Sequence, residues 1–88
     1  MDEVVAPELT DELDLHAFQP REVADLVDEY VTAARAAGFT VVRIVHGKGS
    51  GTLRRIVHGV LERHAGVRGF QVEGNWGRTV VALATPSS

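Results

Sequence analysis

VVRIVHGKGSGTLRRIVHGVL, residues 41–61, is the stretch that decides how this chain folds. Thr40 to His46 is a nearly continuous apolar run, the pattern of a central parallel strand. Gly47 to Gly51 is too glycine-rich to continue either a strand or a helix and reads as a loop. Leu53, Ile56, Val57, Val60 and Leu61 then recur at helical spacing, with Ser50 or Thr52 as the front cap and a stop near Gly66. Strand, glycine loop and helix in that order define one half of a β-α-β crossover.

The flanks complete the pattern. Leu13-Asp14-Leu15-His16 alternates apolar and polar residues, which predicts a short strand with one buried face. Pro20 suits the first turn of a helix, where its missing N–H costs nothing. Val23, Leu26, Val27, Tyr30, Val31 and Ala34 follow as one apolar stripe, and Gly38 is placed to end the helix. Val67 to Glu73 reads as a third strand, Gly74 to Gly77 as a turn, and Arg78 to Leu83 as a fourth strand rich in β-branched residues. The order βαβαββ implies an α/β (α+β) two-layer sandwich: a mixed four-stranded sheet with two helices on one face. Residues 1–10 read as a flexible acidic tail, 11–84 as a single domain and 85–88 as a short flexible end.

Composition narrows the function. The chain has 88 residues, 44% of them hydrophobic and 24% charged, as in a small globular domain. It contains no cysteine, which excludes disulfides and thiolate metal sites. No apolar run reaches the roughly 18–20 residues needed to span a bilayer, and the acidic N-terminus lacks the basic and apolar regions of a signal peptide. A monomeric cytoplasmic protein without membrane contact is the expectation. The net charge of −3 conceals an asymmetry. Residues 1–42 carry ten acids and two arginines, a balance of −8, whereas residues 43–88 carry seven bases and two acids, a balance of +5. Such a split points to an anionic partner for the basic half, or to acidic and basic surfaces that balance within one fold.

Two crossovers make the first three strands parallel, so their C-terminal ends share one edge, where open α/β sheets usually bind ligands. A fourth strand running antiparallel begins at that edge and brings Gly77, Arg78 and Thr79 to it. The GKGSG loop, residues 47–51, leads into a helix N-terminus, where free N–H groups and the helix dipole favour an anion. Gly47, Gly49 and Gly51 let backbone approach a phosphate, with Ser50 between them; Lys48 adds a full charge, and Arg54 follows in the first helical turn, with Arg43 in the strand before. The loop is not a Walker A motif, because its lysine lies between glycines instead of directly before Ser or Thr. Asp14 and His16 lie two residues apart on one side of a strand, an arrangement in which a carboxylate orients an imidazole for acid–base work. A surface pair without chemistry is the plainer reading of the same spacing. His46, at the end of the second strand, is a second proton-transfer candidate. His58 would extend the basic surface from the flank of its helix, and His64 would cap carbonyls or pack. Trp76 sits in the turn, placed either to stack on an unpaired base or to cover the small core. No three-ligand zinc arrangement is apparent, so no metal site is assigned.

Taken together, LDLH (13–16), HGKGSGTLR (46–54) and GNWGRTVVAL (74–83) resemble the Smr domain, the small MutS-related module. The resemblance covers Leu13 to Leu83 with all three motifs in family order, and LDLHAFQPREV is similar to a stand-alone bacterial branch. It departs at Ala17, where the family commonly has glycine, and at Arg78, where the late motif usually has a small residue. The resemblance implies a fold similar to the C-terminal domain of bacterial translation initiation factor three, with the fourth strand inside the sheet between the second and third. It implies nucleic-acid binding and, in many members, endonuclease activity: DNA nicking or RNA cleavage, including messenger RNA on ribosomes. The family's DxH pair maps onto Asp14 and His16, and its HGKG onto His46, Gly47, Lys48 and Gly49. No cofactor is certain; a divalent ion, Mg or Mn, would be needed if DNA is the substrate. The alternatives are a non-catalytic nucleic-acid-binding module and a protein-interaction adaptor built on the acidic first helix.

Overall fold

A computed structural model of the chain describes residues 9–47, 51–74 and 77–84. The elements run β1 (Glu12–Asp14), α1 (Pro20–Ala36), β2 (Val41–Val45), α2 (Thr52–Arg63), β3 (Val67–Glu73) and β4 (Arg78–Leu83). The sheet order is β1-β2-β4-β3, with β1 parallel to β2 and β4 antiparallel to both of its neighbours. This is the mixed sheet expected, with the last strand inserted at its centre.

Helix α1 forms where its termini are provided for. Pro20 opens it, the Gln19 N–H donates to Glu22 Oε1 at 2.9 Å, and the Glu22 N–H donates to the Gln19 carbonyl at 2.8 Å. At the other end Gly38 adopts φ +96°. Its N–H reaches the Arg35 carbonyl and the Phe39 N–H reaches that of Ala34, each at 3.0 Å. These two bonds close the helix in a Schellman motif, which only a residue tolerant of positive φ completes without strain. The predicted stripe is the buried one: Val23, Val27, Tyr30, Val31 and Ala34 face inward, with Leu26 partly covered. Val57, Val60 and Leu61 do the same for α2. Together with Leu15, Val42, Ile44, Val81 and Leu83 they form one core between helices and sheet.

Three expectations change. The first strand ends at Asp14, not at His16. Asp14 Oδ1 accepts the His16 N–H at 2.9 Å, taking the amide that a longer ladder would use. The Leu15 N–H still reaches the Val45 carbonyl at 3.0 Å before the chain turns. Second, β2 is not covered on both faces. Val42 and Ile44 are buried, whereas Val41 is exposed and Arg43 and Val45 are half-buried. Both helices pack on one side, so alternate residues of this apolar run meet solvent. Third, the cap of α2 is Gly51 in the left-handed region (φ +89°), not Thr52, and it supplies no side-chain oxygen to the first turn. Ser50, the other expected cap, lies outside the described residues. Packing contacts also begin a residue earlier than expected, because the Tyr30 hydroxyl donates to the Thr10 carbonyl at 2.6 Å. Burial, then the nearby Asp11 and Glu12 carboxylates, push the Tyr30 phenol up to about 12.

Candidate functional site

The ends of β1 and β2 and the start of β4 meet at one edge of the sheet, as the topology requires. The His46 and Gly47 N–H groups both donate to the Gly77 carbonyl, each at 2.9 Å. That shared acceptor fastens the root of the glycine loop to the turn before β4. Gly47 holds φ +79° there, a conformation that L-residues with a side chain seldom adopt. Two hollows open on either side of Gly47. One, of about 560 Å³, lies on the helix-free side and is lined by Glu12, His16, Val45, Gly47, Gly74, Gly77 and Arg78. The other, about 330 Å³, lies on the helix side and is lined by Pro20, His46, Gly47, Gly51, Thr52, Leu53 and Arg54.

On the open side, Asp14 and His16 form the pair their spacing predicted. His16 Nδ1 donates to Asp14 Oδ1 at 2.5 Å, and the same oxygen takes the His16 backbone N–H. The backbone N–H and then the ring hold the Asp14 carboxyl below its ordinary value, keeping it ionised. An ionised carboxylate only accepts, so the hydrogen of a neutral His16 ring sits on Nδ1 and Nε2 offers a lone pair. A Cβ at position 47 would lie 4.0 Å from that Nε2. The basic nitrogen therefore faces the loop root, and Gly47 leaves space in front of it. Arg78 completes the wall of the same hollow and meets Glu73 Oε1 across the β3–β4 ladder, Nε to oxygen 3.1 Å. Arg43, two strands away from β3 on the same face, approaches the same oxygen at 3.7 Å.

On the helix side, His46 belongs to a polar cluster inside the domain. His46 is 7% exposed and Thr79 fully buried. His46 Nε2 lies 2.9 Å from Thr79 Oγ1, and His58 Nε2 lies 2.8 Å from the same oxygen. His46 Nδ1 faces the Gly47 carbonyl at 3.1 Å and must donate to it. With both rings neutral only one arrangement satisfies every atom: His58 Nε2–H donates to Thr79 Oγ1, whose hydroxyl donates to His46 Nε2. Burial lowers the pKa of both histidines, and the charge of Arg54 adds to the shift in each. His58 also packs on Phe70, ring centroids 4.8 Å apart.

Asp14, His16, His46, Gly47, Gly77, Arg78 and Thr79 thus gather at the expected edge, with Gly51 and Arg54 at the second hollow. They do not surround one cavity. His16 and His46 stand on opposite sides of Gly47, and both ring nitrogens of His46 are bonded within the protein. Lys48, Gly49, Ser50 and Trp76, also expected at the site, lie outside the described residues. Two further residues take part. His58, expected to extend the basic surface, instead bonds Thr79 of β4. Glu73 carried a usable signal, since a four-residue turn at 74–77 sets it opposite Arg78. His64, expected to cap carbonyls or pack, ends α2 but caps no carbonyl with its ring: Nδ1 takes the Gly66 N–H at 2.9 Å, and Nε2 lies 3.0 Å from Thr32 Oγ1 and 3.4 Å from Asp28 Oδ1. Among the described residues no group of three His, Asp or Glu side chains is placed to hold a metal ion, and no step below is routed through one.

Fold and edge define a two-layer α/β domain that sets a carboxylate–histidine pair beside a glycine loop. The family model for the Smr domain matches residues 13–84. The chain is 40% identical over 81 residues to the endonuclease MutS2 of Thermomicrobium roseum, covering 88% of this chain and 10% of that protein. It is 42% identical over 76 residues to the endonuclease MutS2 of Halalkalibacterium halodurans, covering 82% and 10% respectively. The crystal structure of the Smr domain of Thermus thermophilus MutS2 superposes with a TM-score of 0.78 at 38% identity, over 84% of this chain and 98% of that one. YdaL, a stand-alone small MutS-related protein from Escherichia coli, gives 0.79 at 26% identity, over 85% and 65%. The chain belongs to the Smr domain family. It spans about a tenth of the length of the curated MutS2 relatives it matches.

Proposed function

We propose that this chain binds nucleic acid at the edge around Gly47 and cleaves phosphodiester bonds there. The observation that carries the reading is the Asp14–His16 pair, its basic Nε2 aimed at the loop root in a hollow that Arg78 closes. With RNA, His16 Nε2 takes the proton of a 2′-hydroxyl, whose oxygen attacks the adjacent phosphorus. The 5′-oxygen leaves, and the proton returns to it from the His16 imidazolium. Asp14 holds the ring in the Nδ1–H tautomer and stabilises the imidazolium while it lasts. Arg78, on the wall of the hollow, offsets the charge that grows on the phosphoryl oxygens. The naming of the MutS2 relatives as endonucleases supports the reaction class. Cleavage of labelled RNA and nicking of supercoiled DNA, each with and without EDTA, test it. Activity in wild type that disappears in His16→Ala is the expected result; equal background for the two proteins on both substrates removes the catalytic assignment.

A second reading is supported by Arg78, a long cation where the family pattern has a small residue: a module that binds the phosphodiester backbone without cutting it. Binding that weakens steeply with salt, together with no cleavage, would select this reading. Under either reading we propose a monomer that acts in the cytoplasm.

A further inference from the structure

The helix-free face of the sheet carries an ion cluster of which the cleavage reading uses only Arg78. Glu73 Oε1 lies 3.1 Å from Arg78 Nε and 3.7 Å from Arg43 Nε. The three residues come from three strands: Glu73 is the ladder partner of Arg78, and Arg43 stands across β4 on β2. All three side chains are partly exposed, at 37%, 41% and 45% for Arg43, Glu73 and Arg78. The pairing is one of charge more than of direction. Glu73 Oε1 itself has no solvent access and makes no hydrogen bond of good geometry, although two guanidinium groups flank it. One carboxylate oxygen between two arginines occupies the position a backbone phosphate oxygen would take. Arg78 is at the same time a wall of the hollow that contains His16. Val45, Val80 and Ala82 make up the floor of this face around the arginines, and β1 brings two further carboxylates to its edge, Glu12 opposite Arg43 and Asp14 opposite Val45.

We propose that Glu73 is an internal stand-in for phosphate: it holds Arg43 and Arg78 in the free protein and gives them up to the backbone of a bound nucleic-acid strand. This rests on the nucleic-acid reading above and extends it. The strand enters at the hollow beside His16 and continues over the open sheet face along Arg78 and Arg43. Exposed ion pairs are weak and screened by salt, so a polyanion with several phosphates displaces a single carboxylate. The device sets a threshold. Isolated anions do not outcompete Glu73, whereas a strand anchored in the hollow beside His16 does, because its local phosphate concentration is high.

The test measures binding of short labelled RNA and DNA oligonucleotides at low salt by fluorescence anisotropy. Glu73→Gln should tighten binding about three- to tenfold, the equivalent of releasing one or two exposed ion pairs. Glu29→Gln, the same charge change on the exposed side of α1, should change it less than about twofold. In an Arg78→Gln background the gain from Glu73→Gln should fall below about twofold, since one of its two beneficiaries is gone. Equal gains from Glu73→Gln and Glu29→Gln would reduce the effect to bulk charge and overturn the proposal. So would a gain that Arg78→Gln leaves intact, or no gain at all in a wild type that binds. If neither wild type nor Glu73→Gln binds any oligonucleotide, the nucleic-acid reading falls first and this inference with it.

Discussion

Two histidine clusters share one edge of this domain, and they differ in almost every physical respect. On the open face, His16 is 73% exposed and paired with a carboxylate. Beneath the helices, His46 and His58 share a fully buried hydroxyl and have no carboxylate partner in their chain of bonds. On the open face the Asp14 carboxylate orients the His16 ring and leaves it in contact with water. Burial, the neighbouring imidazole and Arg54 disfavour a proton on the rings beneath the helices. The same residue type therefore meets opposite surroundings on the two sides of Gly47: a Cβ there would lie 4.0 Å from His16 Nε2, and His46 directly precedes it in the chain. The exposed pair is suited to moving protons, whereas the buried trio is suited to holding Gly47 and the loop root still.

That division can be broken most severely at His16. His16→Ala should lower any cleavage rate by about 10²–10⁴-fold, the ordinary worth of a general acid–base group. Its melting midpoint in urea should stay close to wild type, as for exposed positions in general. The reverse profile is expected of Thr79→Val, which keeps the shape but removes the hydroxyl that joins buried His46 to half-buried His58. Urea denaturation should show a loss of about 2–4 kcal/mol, from buried imidazole nitrogens left without a partner. Thr79→Ser should recover most of it. If Thr79→Val were as stable as wild type, the buried trio would not be what secures the edge.

Acid titration separates the clusters without mutation. Folded His46 and His58 have pKa values below their unfolded ones, so between the two values the unfolded chain binds more protons. Their contribution is complete above the unfolded value near 6.5 and is lost as the pH falls from there through the folded values. Asp14 is likewise lowered, but its contribution is lost only as the pH falls below the carboxylate range. Stability should thus decline as the pH falls below about 6.5, and His58→Gln should flatten that decline. A slope unchanged by this substitution would assign the effect elsewhere. A smaller effect is expected from Asp14→Asn, which leaves His16 in place without its anionic partner. Cleavage should fall about tenfold or more, since the ring loses the acceptor that orients it and the imidazolium loses its counter-charge. The least change is expected at Val41 on the open face, where Val41→Thr should alter stability by less than about 0.5 kcal/mol.

The helices were the most legible part of the molecule. The stripe from Val23 to Ala34 and the Pro20 and Gly38 boundaries follow from local chemistry, and each is where it was expected. So is the hairpin that sets Glu73 against Arg78. The Asp14–His16 contact was also readable, because two residues on one side of a strand need no distant partner to meet. What misled was local too: Asp14 takes the His16 amide and ends β1 early, a competition that alternating hydrophobicity does not reveal. The apolar run of β2 concealed which face was covered, because that depends on where both helices pack.

By itself the sequence determined the order of elements, the edge at which the chemistry gathers and the identity of the exposed pair. These depend on interactions between residues close in the chain, or on the rule that crossovers return parallel strands. The tertiary structure alone decided that His16 and His46 part company at Gly47, that His58 turns inward to share Thr79, and that Glu73 reaches Arg43 as well as Arg78. Each of those outcomes depends on which strand lies beside which. The insertion of β4 between β2 and β3 places Thr79 under α2 and Arg78 between two charges of opposite sign. No periodicity along a single segment encodes a neighbour thirty residues away, because that contact is selected by the packing of the whole sheet.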